Sequence, residues 1–270
     1  MKKETMTSIK NEFMNIYSAI RNLPDDEIFN TPEAVLRPHF EKLTRLGAMD
    51  IGDNEAQNLL CSKDFKPIIK KISHMKRTYG LRMEIKSAHS IILSSDPWKA
   101  IKEFTFFPNY IELAHMEYRG GNLKSGDYVV FLGSGPLPLS LISLCSQYGV
   151  KGIGIELIPE YAELSTKLIK TLELTEDIRI IQGNHFLLPL EQKCHLVMIG
   201  ADAHPKNEIF THLAGSLPKG TKVSYRIYEK GLRRLMDDRS VFDLHHKFME
   251  YMCIRPKPPV NNTSIFLIKE

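Results

Sequence analysis

Residues 128–140 read YVVFLGSGPLPLS, and the fold follows from how this stretch is read. Tyr128, Val129, Val130, Phe131 and Leu132 form an unbroken aromatic, β-branched and aliphatic run, which predicts a buried strand. The run breaks at Gly133-Ser134-Gly135, where only small side chains stand. It resumes as an apolar helix with Pro138 in the first turn, where the missing N–H has no helical partner to lose. Strand, glycine turn and helix in this order aim backbone N–H groups at a ligand and let it approach the main chain, as nucleotide-type sites require.

Working outward toward the C-terminus, strand and helix patterns alternate. Residues 128–132 predict a strand and 138–148 a helix; 152–156 (GIGIE) a strand and 159–172 a helix. Strands follow at 178–182 and 195–199, then a helix at 205–217 and a strand at 222–228. The alternation stops near the end, where 242–252 and 264–268 read as two strands joined by a loop holding Pro256, Pro258 and Pro259. Alternation implies a parallel sheet covered on both faces, and a closing hairpin supplies an edge. The layout resembles the class I S-adenosylmethionine-dependent (SAM-dependent) transferase fold more than a dinucleotide dehydrogenase.

Toward the N-terminus the pattern is helical. Ile9, Phe13, Ile16 and Ile20 recur at helical spacing. Thr31-Pro32 reads as an N-cap and first-turn proline ahead of Leu36, Phe40 and Leu43, and Asn54 as a further cap. Ile68, Ile69, Ile72 and Met75 mark one helix; Leu81, Ile85, Ala88, Ile91 and Ile92 mark another, closed by Ser94, Ser95 and Asp96. Trp98 opens a helix, and a last one runs to Tyr118. The punctuation at Arg119-Gly120-Gly121 sets the expected organisation, with a helical N-terminal bundle over 1–120 and a Rossmann-like domain over 121–270.

Composition narrows the function classes. Of 270 residues, 43% are hydrophobic and 25% charged, ordinary for a globular protein with a proper core. The net charge of +4 comes from dispersed lysines, which argues against a nucleic-acid partner. Cys61, Cys145, Cys194 and Cys253 stand far apart with no C-x-x-C pair, which suggests reduced thiols in a cytoplasmic protein. The N-terminus lacks a signal-peptide apolar region, and no apolar run reaches the length of a membrane span. The histidines show no tight ligand spacing; His245 and His246, on opposite faces of a predicted strand, suit one metal poorly. No metal site is expected.

Four constellations can carry chemistry. Glu156 ends the second strand about twenty residues past the glycine turn, where a carboxylate can accept ribose hydroxyls, and Asn184 ends the third, where an adenine edge would lie. No lysine follows the glycines, so the turn is not a phosphate-clamping loop. Glu84 has Leu81, Ala88 and Ile91 on its own helix face; a carboxylate there is either a salt-bridge or face-edge residue, or a general base raised toward neutral pH by burial. Tyr110 follows the aromatic cluster at Phe104, Phe106 and Phe107; it is either core or a hydroxyl open to a catalytic role. Arg226, in SYRIY at a strand end, suits a substrate carboxylate or an internal ion pair. Asp202-Ala203-His204-Pro205 is not the Asn/Asp-Pro-Pro-aromatic motif of amino-directed methyltransferases.

GSGPLPLS, the upstream SSDPWKAIKEFTFFPNYIEL and the terminal VNNTSIFLIKE together resemble nicotianamine synthase, especially its short archaeal form, from about Tyr79 to Glu270. The histidine aminobutanoyltransferases of opine-metallophore synthesis are more distant relatives. The resemblance implies a SAM-binding C-terminal domain and transfer of the 3-amino-3-carboxypropyl (aminobutyryl) group of SAM, a co-substrate, to an α-amino group, with release of methylthioadenosine, in metallophore biosynthesis. It implies that Glu84 is the base and Tyr110 its companion at the reacting amine. Gly133, Ser134, Gly135, Leu137, Glu156, Asn184 and Ala201 map onto the SAM site, and Arg226 onto an arginine that holds a carboxylate. Archaeal members have GGGPLPL where this chain has Gly133-Ser134-Gly135. The acceptor is open among a second SAM, glutamate and histidine. The expected partners are small molecules, with no membrane, and a homodimer is compatible. The alternatives are a small-molecule methyltransferase and a SAM-sensing protein on the same fold.

Overall fold

The structure, a computed structural model, describes residues 2–49, 51–60, 62–188, 194–228, 232, 243–257 and 260–270. Cys61, Phe242, Pro258 and Pro259 lie outside the described residues. The chain divides into two compact units, Met1–Arg82 with Tyr228–Val241, and Met83–Ile227 with Phe242–Glu270.

The first unit is helical: α1 (Lys2–Ile20), α2 (Asp25–Asn30), α3 (Glu33–Ala48), α4 (Asp53–Leu60) and most of α5 (Lys66–Ile92). Ile9, Phe13, Ile16 and Ile20 give α1 one apolar stripe, each at most 2% exposed. α1 packs on α3, whose Leu36, Phe40, Leu43 and Leu46 are buried. Phe40 stacks on Tyr79 of α5 at 3.8 Å. Arg82 donates to the carbonyls of Ile28 and Thr31, fastening α5 to the end of α2.

Three local expectations are corrected. α3 begins at Glu33, not Pro32: Thr31 closes α2 by donating its N–H to Glu27, and a residue before proline is pushed to extended backbone. The two helices expected across 68–92 are one, because Gly80 sits mid-helix in open space at a cost of only ~1 kcal/mol. Asp96 does not close that helix; it caps α6 (Pro97–Lys102) by accepting from the Lys99 N–H at 3.0 Å.

The second unit is a seven-stranded sheet with helices on both faces. Its elements are α6, α7 (Phe107–Gly121), β1 (Tyr128–Leu132), α8 (Leu139–Tyr148), β2 (Lys151–Glu156), α9 (Pro159–Thr171), β3 (Ile178–Gln182), β4 (Leu196–Ile199), α10 (Lys206–Ser216), β5 (Lys222–Ile227), β6 (Phe248–Ile254) and β7 (Thr263–Lys269). The order is β3-β2-β1-β4-β5-β7-β6, with β1 to β5 parallel and β7 antiparallel between β5 and β6. This is the strand order of the class I transferase fold. β1 explains itself by period two: Val129 and Phe131 join the core under α8 and α9, and Val130 and Leu132 the core under α10.

Residues 83–121, read as part of the helical region, pack in this unit; Ala88, Ile91, Ile101 and Ala114 sit in the same core as Phe131. α8 starts at Leu139 with Pro138 as its cap, one residue later than expected, since Pro138 has a non-helical ψ of 54°. His245 and His246 precede β6 and stack at 4.4 Å instead of straddling a strand.

Candidate active site

The glycine turn is set by its backbone. Gly133 and Gly135 have φ of +72° and +73°, the left-handed region that only glycine enters without strain. A Cβ on Gly133 would stand 2.9 Å from Cβ of Ala203, in the loop after β4. The expectation that the turn's N–H groups face a ligand is corrected. Gly133 and Ser134 both donate to the Ile155 carbonyl, at 2.9 and 3.2 Å, and Gly135 donates to Glu156 Oε2 at 2.9 Å. The turn therefore offers close approach to the main chain rather than a set of donors. Ser134, 5% exposed, packs against Gly154, where a Cβ would meet its Oγ at 2.8 Å. Glycine at that position in GIGIE is what makes room for the serine.

Glu156, 6% exposed, accepts from Gly135 through Oε2 and from the Ile158 N–H through Oε1, each at 2.9 Å. It braces the turn, and a carboxylate oxygen accepts more than one donor, so ribose hydroxyls remain within its capacity. Leu137 is core, 2% exposed. Asn184 is exposed and accepts from the Phe186 N–H at 3.0 Å. The Ala201 carbonyl accepts from Lys206 at 2.8 Å; the same ammonium reaches the Gly200 and Ala203 carbonyls at 3.3 and 3.2 Å. Lys206, 3% exposed, thus gathers the loop that abuts Gly133. Exposed Leu157, Ile158, Phe186 and Leu187 line the ends of β2 and β3.

Glu84 and Tyr110 meet directly. The Tyr110 hydroxyl donates to Glu84 Oε1 at 2.6 Å, and both side chains are half-buried. Glu84 Oε2 lies 3.4 Å from where a Cβ on Gly135 would stand. A carboxylate from α5, a hydroxyl from α7 and the glycine turn therefore share one place, which spacing along the chain does not show.

Arg226 is 5% exposed, and its Nε donates to Glu117 Oε1 at 3.1 Å while Nη1 donates to Ser140 Oγ at 2.9 Å. Of the two readings open at Arg226, the internal ion pair, with Glu117, is present. Glu117, 1% exposed, also accepts from Ser264 at 3.3 Å. Glu117 could have been found from the sequence: Leu113, Ala114 and Gly120 surround it at helical spacing, the same signal that singled out Glu84. Nothing in the sequence signals Lys206.

His185 packs against Phe186 and His212, at 4.3 and 5.4 Å, and burial, then His212, lowers its pKa. Burial pushes the Cys145 and Cys194 thiols up to about 11. Among the described residues no cluster of His, Cys, Asp or Glu is placed to hold a metal ion, and no helix is long and apolar enough to cross a membrane.

The strand order and the glycine turn define the class as an α/β protein with the SAM-dependent class I transferase fold. The comparisons narrow this. A family model described as nicotianamine synthase protein matches residues 2–270, and the chain belongs to the nicotianamine synthase family. A crystal structure of MtNAS in complex with MTA and tNA is similar at 25% identity and a TM-score of 0.86, covering 98% of this chain and 97% of that one. A mutant of MtNAS in complex with S-adenosylmethionine is similar at 25% identity and a TM-score of 0.83, covering 96% and 97%. No curated protein sequence matches the chain.

Proposed function

We propose that the protein binds SAM as a co-substrate and moves its 3-amino-3-carboxypropyl group to the α-amino group of an amino-acid acceptor. The observation that carries this reading is the Tyr110–Glu84 hydrogen bond of 2.6 Å beside the glycine turn. Family membership supports it, as do MtNAS structures with S-adenosylmethionine and with MTA, the abbreviation of the expected by-product methylthioadenosine.

The step has a simple balance. The acceptor nitrogen forms a bond to the carbon next to sulfur on the amino-acid side, and the carbon–sulfur electron pair leaves with sulfur as neutral methylthioadenosine. The ammonium of the acceptor must first lose a proton, and Glu84 would take it. Tyr110 holds Glu84 in one orientation through Oε1. The sulfonium is already an activated leaving group, so the step asks for no metal. Which of its carbons reacts depends on orientation, because in-line approach selects it. Glu156 would take the ribose hydroxyls, and the loop from Gly200 to Ala203 with Asn184 would flank the adenine. The product, carrying several amines and carboxylates, would be a metal chelator made in the cytoplasm.

The test is to incubate the protein with SAM alone and with glutamate or histidine, and to identify the nucleoside by mass. Methylthioadenosine that rises with one acceptor supports the reading and names the acceptor. S-adenosylhomocysteine would place the protein among methyltransferases.

A further inference from the structure

The Glu117–Arg226 pair lies away from the Glu84–Tyr110 hydrogen bond but on an element shared with it. Tyr110 and Glu117 are seven residues apart on α7, two helical turns, so they lie on nearly the same face about 10 Å apart. The C-terminal end of α7 is fastened to the sheet at several points. Glu117 receives Arg226 of β5 and Ser264 of β7. The Gly120 carbonyl accepts from Tyr251 of β6 at 2.8 Å, and the Gly121 carbonyl from Lys222 of β5 at 2.7 Å. A Cβ on Gly120 would stand 2.1 Å from the Phe266 ring, so the helix backbone lies directly on β7. Arg226 meanwhile reaches Ser140, in the first turn of α8, which directly follows the glycine turn.

We infer that Arg226 and Glu117 are positioning residues that set Tyr110, and through it Glu84, against the glycine turn. One guanidinium ties the helix that carries the tyrosine to the helix that leaves the turn. Arginine suits this because its planar fork holds two partners at fixed angles, where an ammonium is a point charge. The inference rests on the proposed transfer reaction for its kinetic consequence, but not for its structural one. It differs from a substrate clamp: Arg226 is 5% exposed and its Nε and Nη1 are already engaged, although Nη2 has no hydrogen-bond partner among the described residues.

The experiment uses Arg226→Lys and the milder Ser140→Ala, which keeps the ion pair and removes only the link to α8. Leu168→Ala, a buried change on α9 outside the hydrogen-bond network, serves as the destabilised control. The first readout is the ring-carbon NMR signal of Tyr110 in tyrosine-labelled protein, assigned by its loss in Tyr110→Phe. It should shift in Arg226→Lys and Ser140→Ala and stay in place in Leu168→Ala. The second readout is kinetic: kcat should fall about tenfold to a hundredfold in Arg226→Lys, while the acceptor KM stays within about threefold. An unmoved Tyr110 signal in both network variants would overturn the inference. So would a raised acceptor KM with kcat kept, which marks a substrate clamp. If the wild type releases no methylthioadenosine, the transfer reading fails, and the Tyr110 signal still decides this one. If Arg226→Lys does not fold, Ser140→Ala carries the test.

Discussion

Glu84 and Glu117 are both helix carboxylates of the same compact unit, on α5 and α7, with apolar neighbours at helical spacing. Their surroundings diverge. Glu117 is 1% exposed and held by an arginine and a serine. Glu84 is half-buried, receives a tyrosine hydroxyl and borders the glycine turn. A buried ion pair ties both charges to each other and away from a ligand. A half-buried carboxylate beside the glycine turn can still meet one. The same sequence signal thus marks a structural group in one place and a candidate base in the other; what each carboxylate faces makes the difference.

The comparison can be broken most directly at Glu84. Glu84→Gln should lower turnover about a hundredfold or more, with SAM affinity by calorimetry little changed. Near-normal turnover would remove the base assignment. At the other carboxylate the effect should fall on stability instead: Glu117→Gln leaves the Arg226 charge buried without its counterion and should cost about 3–5 kcal/mol in denaturant unfolding. A loss well under 1 kcal/mol would show the pair to be dispensable.

Tyr110→Phe sharpens the contrast by removing a donor without adding charge. It should lower kcat about ten- to a hundredfold. Full kcat in Tyr110→Phe would detach Tyr110 from the base. Gly135→Ala should cost about 1–2 kcal/mol, because an L-residue is strained at φ +73°, while its Cβ would make only an ordinary contact with Glu84 at 3.4 Å. Unchanged thermal stability would mean the turn has another conformation.

The smallest effect concerns the thiols. Burial raises the folded pKa of Cys145 and Cys194 to about 11, above the ordinary value of 9.0. Their contribution to stability is therefore complete below about pH 9 and declines as pH rises from there toward 11. Tm measured across that window should fall, and fall less in a Cys145→Ala, Cys194→Ala double variant once its own baseline is subtracted. In the folded protein at neutral pH, exposed Cys253 should alkylate ahead of both.

Much of this architecture was legible in the sequence, for identifiable reasons. β1, the glycine turn and α8 announce themselves because strand and helix periods differ and glycine separates them. Expected boundaries slipped where local chemistry was ambiguous: Pro32 and Pro138 proved to be caps rather than first-turn residues, and the two helices expected across 68–92 are the single α5. The candidate residues Glu84 and Tyr110 were visible one at a time, but the hydrogen bond joining α5 to α7 is a tertiary fact. The turn's N–H groups were expected to be open, and adjacent β2 satisfies them. Arg226 was ambiguous because an arginine in an apolar strand needs an anion of some kind, and the missing half of the pattern was Glu117, 109 residues away.

The central claim is which carbon of SAM the site presents to the acceptor. The most direct measurement uses SAM labelled differently in its methyl carbon and in its amino-acid chain, and follows each label into the products. The account predicts the chain label in the acceptor product and the methyl label in methylthioadenosine. A methyl label in the acceptor product, with the chain label in S-adenosylhomocysteine, would contradict it.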